Sequence, residues 1–139
     1  MEEALRAAQR GLEAGEVPVG AVVVCGGEIV GRGWNRNITD SDPTAHAETV
    51  CIRKAGRRRD WHELTLVSTL SPCIMCTGTA LLYRIPRIVI GENRNFMGAE
   101  DLFRQRGIDV VVLDDEDCIQ MMAEFIRSKP DLWNEDIGK

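Results

Sequence analysis

The chain has 139 residues, 44% of them hydrophobic and 28% charged, which is the composition of one ordinary globular domain with a single core. Its net charge of −5 argues against a general nucleic-acid binder, which needs a basic face. No apolar run is long enough to cross a bilayer, and the opening "MEEALRAAQR" lacks the apolar core of a signal peptide, so a cytoplasmic protein is expected.

Residues 2–14 have helical spacing, with Leu5, Ala8 and Leu12 on one face and Gly15 as a stop. "VPVGAVVVC" (17–25) is a β-branched run and reads as a strand. "GG" at 26–27 turns the chain, and "EIVGRGW" (28–34) returns as its hairpin partner. The polar loop "NRNITDSDP" closes at Pro43, and "TAHAETVCIRKAGR" (44–57) reads as a helix with Thr44 as its N-cap. The basic run Arg53 to Arg59 reads as a solvated helix end. "LTLVSTL" (64–70) is a buried strand. Pro72 opens a helix reaching about Tyr83, a placement that suits its missing N–H. Strands follow at 87–91 and 108–113 with a short helix near 98–106 between them. Residues 115–128 form an amphipathic helix, and 129–139 is read as a tail. A hairpin followed by strand–helix–strand units predicts an α/β fold, a mixed sheet of about five strands with helices on both faces.

Cys73 and Cys76, in "SPCIMC", face the same way at the start of a helix, where thiol pKa values fall. Alone, this Cys-x-x-Cys suits a redox pair or a zinc site equally well. His46 and Glu48, in "HAE", also sit at a predicted helix start, the one place where residues two apart can converge on a point. His46, Cys73 and Cys76 supply one nitrogen and two sulfurs, a donor set that suits zinc and leaves a fourth position open for water. Glu48 beside such water is placed to take a proton and hand it on. Cys25, Cys51 and Cys118 read as small buried hydrophobes, and His62 as a surface residue. The five cysteines are no secreted disulfide framework.

His-x-Glu followed by Pro-Cys-x-x-Cys is the signature of zinc-dependent nucleobase deaminases. "TLSPCIMCTG", "YRIPRIVIGENRNF", "RGIDVVVLDDEDC" and the ending "WNEDIG" resemble the fungal type of cytosine deaminase over roughly residues 5–139. The resemblance implies a cytidine deaminase-like three-layer α/β/α sandwich in one domain, 1–139, with a C-terminal lid over about 130–139. It implies a homodimer, one Zn2+ per chain, and hydrolysis of free cytosine to uracil and ammonia. Its substrate is then a small nucleobase-like molecule, with neither membrane nor nucleic acid as partner. It assigns His46, Cys73 and Cys76 to zinc and Glu48 to proton transfer. It makes Asn35 orient the base, Ala47 contact the base carbonyl through its N–H, and the Ser71 carbonyl accept from the exocyclic amine. Asp136 accepts from a ring N–H, while Phe96, Trp133 and Ile137 cover the pocket.

Three residues depart from the fungal pattern: Ala47 replaces a glycine, Trp34 a histidine and Asn134 an aromatic. All three are expected near the pocket, which opens isocytosine, 5-methylcytosine and creatinine as alternative rings. Guanine is a further alternative. A tRNA adenosine deaminase shares the motifs and His-Ala-Glu, but needs a basic, aromatic surface for flipped bases; this chain is acidic, with three Trp, one Tyr and three Phe. A non-catalytic zinc module predicts a fourth protein ligand, and a thioredoxin-like protein a Cys73–Cys76 disulfide.

Overall fold

The computed structural model describes residues 1–139. Helix α1 (Glu2–Glu13) leads into the hairpin β1 (Gly20–Cys25) and β2 (Glu28–Trp34). Then come α2 (Ala47–Ala55), a short 3-10 turn (Trp61–Glu63), β3 (Leu64–Leu70), α3 (Ile74–Leu82) and β4 (Arg87–Glu92). The chain ends with α4 (Glu100–Gln105), β5 (Asp109–Val112), α5 (Glu116–Ser128) and α6 (Pro130–Asp136). The strands form one mixed sheet in the order β2-β1-β3-β4-β5, antiparallel through β3 and parallel from β3 to β5. No helix is long and apolar enough to cross a membrane.

Side-chain parity assigns the two faces. Val22 and Val67 turn to Ala4 of α1, and Gly91 of β4 meets Cys118 of α5, so α1 and α5 cover one face. Gly31 and Gly33 of β2 meet α2, and Leu66, Ile88 and Ile90 join Ala80 of α3 and Phe103 of α4 in the main core on the other face. The expected three-layer architecture is present.

The buried face of α1 differs from the expectation. Ala4, Ala7, Ala8 and Gly11 are inside, while Leu5 and Leu12 are only half-buried. The helix lies so close to β1 that a Cβ on Gly20 meets the Ala4 carbonyl oxygen at 2.0 Å and the Ala8 nitrogen at 2.4 Å. Backbone cannot yield there as a side-chain tip would. Gly20→Ala is therefore expected to destabilise the fold by about 3 kcal/mol, the upper range for overpacking, read as a lower urea midpoint at unchanged slope.

Three further local readings change. The N-cap of α2 is His46 rather than Thr44, whose hydroxyl instead donates to Asp42. The segment read as a tail contains α6, with Pro130 in its first turn and Trp133 buried. Trp34 points to the α1 face, against Gly11 and beneath the Lys54 and Arg36 cations, on the side of the sheet away from His46. Parity explains this: Gly33 takes the α2 face, so its neighbour takes the other.

Candidate active site

Parallel β3 and β4 place the site beyond the carboxyl end of β3, where ligands of open α/β sheets bind. The chain leaves β3 through Ser71 and Pro72, and Cys73 caps α3. His46 caps α2, and both caps have extended backbone with no side-chain capping bond. The two helices thus begin at one point and leave the His46 and Cys73 side chains free to turn toward each other. The His46 Nδ1 lies 3.5 Å from Cys73 Sγ. The donor atoms of His46, Cys73 and Cys76 all lie within 4.8 Å of one another.

Zinc fits this set. Bond lengths of about 2.0–2.3 Å to tetrahedral N and S ligands place donor atoms about 3.5–3.8 Å apart, which the observed cluster approaches. No fourth histidine, cysteine or carboxylate joins the group. Cys51 is occupied with the Gly31 carbonyl at 3.3 Å, and Cys118 packs beneath Gly91. Cys25 differs from the expected buried hydrophobe: it is half-buried, 3.8 Å from an Asp60 oxygen. The missing fourth ligand removes the observation on which a closed structural zinc site depended.

Electrostatics divides the two thiols. A hydrogen bond from Cys76 holds Cys73 down at about 4 against the opposing effect of burial, with His46 assisting. Cys76 is pushed up by that same hydrogen bond, by burial and by Glu48. Burial works against a charge on His46, but Cys73, Asp136 and Glu48 override it and lift the imidazole to about 9.

Glu48, 3% exposed, stands beside the group without joining it. One oxygen accepts from Cys76 Sγ at 3.4 Å and the other from Ser68 Oγ at 3.4 Å. Burial pushes its carboxyl up, toward the range in which a proton is both taken and released.

Asn35, His46, Glu48, Ser71, Cys73, Phe96, Trp133, Asp136 and Ile137 line one cavity, with Val19 and Leu70. Phe96 and Trp133 meet edge to face, centroids 5.7 Å apart. A wider cleft outside it carries the exposed Ile74 and Met97.

The polar residues at the inner end bond to one another. The Ala47 N–H donates to Asn35 Oδ1 at 2.9 Å, and Asn35 Nδ2 donates to Asp136 Oδ1 at 3.0 Å. Asp136 also lies 3.7 Å from His46 Nε2, on the side of the ring away from the thiols. Burial lifts its carboxyl to about 6, with Cys73 and Glu16 adding to the effect and His46 opposing it. The Ser71 carbonyl, by contrast, accepts no hydrogen bond from the protein. Asn134 is exposed, so of the three departures only Ala47 stands at the site.

Several residues at the site were not foreseen. Asn37 donates to Asp136 at 2.9 Å. Three buried glutamates brace the surrounding loops. Glu16 accepts from the backbone of Ile38 and Thr39, and Glu92 from Arg94 and Asn95. Glu100 accepts from Ser71. Their only signal in the sequence is an acid beside an apolar run, and a glutamate is by default exposed.

Residues 1–92 match the family described as the cytidine and deoxycytidylate deaminase zinc-binding region. The chain is 40% identical over 142 residues to the cytosine deaminase of Candida albicans, covering 100% of this chain and 95% of that protein. It is 46% identical over 141 residues to the tRNA-specific adenosine deaminase of Buchnera aphidicola, covering 93% of each. A structure solved in a study of A-to-I editing by tRNA:A34 deaminases superposes with a TM-score of 0.77 at 33% identity, covering 87% of this chain and 96% of that one. With His46, Cys73 and Cys76 gathered for one zinc, the chain belongs to the cytidine and deoxycytidylate deaminase family and is a zinc-dependent hydrolytic deaminase.

Proposed function

We propose that the protein deaminates a free pyrimidine base, cytosine, to uracil and ammonia. The observation that carries this reading is the roof. Helix α6 and the residue that caps it lay Trp133, Asp136 and Ile137 over the cavity that also holds Asn35, His46 and Glu48. A base attached to a polynucleotide needs an open side for its sugar and phosphates. The similarity to the Candida albicans cytosine deaminase runs the whole length of this chain, α6 included.

In this reading zinc on His46, Cys73 and Cys76 supplies Lewis-acid activation of water. Asn35 and the Ala47 N–H exchange their mutual bond for contacts to the base. Asp136 accepts from a ring N–H, and the free Ser71 carbonyl accepts from the exocyclic amine. Glu48 takes a proton from water and delivers protons to the ring nitrogen and the amine. The exocyclic C–N bond breaks, its nitrogen leaves as ammonia, and the oxygen of water becomes the new carbonyl. Phe96, Trp133 and Ile137 exclude bulk water, and α6 acts as a lid whose opening releases product. The enzyme works as a homodimer in the cytoplasm, with the exposed Ile74, Leu82, Tyr83 and Met97 as the apolar surface for pairing.

A second reading, deamination of adenine in a tRNA anticodon loop, is favoured by the 46% identity to the Buchnera aphidicola protein. One experiment separates the two. Zinc-loaded protein is given cytosine or an anticodon stem-loop, and ammonia, uracil and inosine are measured. One ammonia per uracil from cytosine supports the first reading. Inosine in the stem-loop with no uracil from cytosine overturns it in favour of the second.

A further inference from the structure

The geometry points to Glu100 as a positioning residue that sets the amine-accepting edge of the pocket through Ser71; this rests on the free-base reading above. Glu100 is 1% exposed and lies in the first turn of α4, outside the cavity. Its Oε1 accepts the Ser71 hydroxyl proton at 2.7 Å. With its proton committed there, the Ser71 oxygen turns a lone pair to the Gly98 N–H at 3.0 Å. Next to it the Ala99 N–H donates to the Pro72 carbonyl at 3.1 Å, and the Ser71 N–H donates to the Glu92 carbonyl at 3.0 Å.

This relay joins two parts of the site that are far apart in sequence. Ser71 and Pro72 lead directly into Cys73 and carry the free carbonyl. Gly98 follows the roof residue Phe96 by two positions. The approach is close: a Cβ on Gly98 meets the Pro72 carbonyl oxygen at 1.9 Å. Glu100 thus fixes the spacing between the roof and the edge that receives the amine.

The partners of Glu100 explain why a carboxylate is needed. Besides Ser71 they are the Asn93 side-chain amide at 3.2 Å and Arg104 at 3.1 Å, all donors. A glutamine of the same shape must aim its own NH₂ at one of them, leaving two donors face to face. With the NH₂ in place of Oε1 the Ser71 proton loses its acceptor; with it in place of Oε2 the clash with Arg104 carries the side chain off Ser71, and in both cases the carbonyl on the same residue drifts. Substrate and transition state both use that carbonyl, so the loss falls on binding common to the two.

The test uses the zinc-loaded, full-length protein and cytosine. Glu100→Gln and Ser71→Ala are each expected to raise KM about tenfold, as for loss of one charge-assisted bond. In both, kcat stays within about threefold and zinc content is unchanged. Ser71→Ala keeps its backbone carbonyl, so it reads the relay even if Glu100→Gln folds poorly. The double variant is expected to be no worse than either single one, the mark of a shared pathway. Arg104→Ala, at a half-exposed rim, is expected to leave KM unchanged.

Single variants with wild-type KM, or effects that multiply in the double variant, overturn the relay. A wild-type protein that releases no ammonia from cytosine overturns the free-base reading instead. The same variants are then assayed on an anticodon stem-loop, where an unchanged KM overturns the relay as well.

Discussion

Glu48→Gln is expected to lower kcat for ammonia release by about a thousandfold, within the range for loss of a positioned acid–base group, while zinc content stays at that of the wild type. Glutamine fills the same space and keeps an oxygen for Ser68, so the cavity survives. It cannot carry a proton from water to the leaving amine. The same substitution is expected to raise the melting temperature of the metal-free protein at neutral pH. Burial pushes the Glu48 carboxyl up in the folded state. A raised carboxyl pKa means that folding is favoured below the unfolded value and loses stability as pH climbs above it. Neutral pH lies above the unfolded carboxyl value, so a penalty for burying this group is present there, and glutamine removes it. Activity lost with stability gained identifies a functional acid; loss of both identifies a structural one. Parallel kcat assays and thermal melts distinguish them.

Cys76→Ala is expected to abolish zinc retention and turnover together. Cys76 is fully buried, its sulfur is one of three donors, and the group holds no fourth histidine, cysteine or carboxylate. Alanine is small enough that the core around α3 closes with little strain. The variant should therefore fold, with metal below about a tenth of the wild-type content, given the steep dependence of affinity on ligand number. Full zinc and full activity in this variant would remove Cys76 from the ligand set. Metal uptake by the wild-type protein supplies a second check. At pH 7.5 the fields at the site leave Cys73 as thiolate, Cys76 as thiol and His46 protonated. Zinc takes only deprotonated ligands, so loading is expected to release about two protons per chain, measurable in a weakly buffered solution with an indicator dye.

The parts of the site legible in the sequence were those where spacing alone sets the geometry. Cys-x-x-Cys at a helix start and His-x-Glu at another helix start each have few ways to point, and the strand 64–70 is legible because it is a short run of leucine, valine and small hydroxyl residues that suits burial on both faces. Where the outcome depends on what packs opposite, sequence reasoning went astray. Helix α1 buries alanines rather than leucines because Gly20 lets the backbones meet, and neither segment announces that alone. Helix α6 has seven residues, too short to show a period, and is held by Trp133 in the core rather than by its own propensity. Adjacency to Asn35 suggests that Trp34 lies near the pocket, but strand parity sends it to the opposite face. The bracing glutamates were invisible because burial of an acid depends on donors from distant loops, such as Ser71 for Glu100, separated by 29 positions.

The measurement that tests the central claim most directly is the ratio of kcat/KM for cytosine to that for cytidine, on the zinc-loaded protein. A ribose on the ring removes the N–H that Asp136 is proposed to accept and puts bulk against Trp133 and Ile137. The account predicts a preference for cytosine of about 10³-fold or more, as for a site that hydrogen-bonds a group its analogue lacks. Comparable values for base and nucleoside would contradict it, because a pocket roofed by α6 for a free ring cannot also accommodate the sugar.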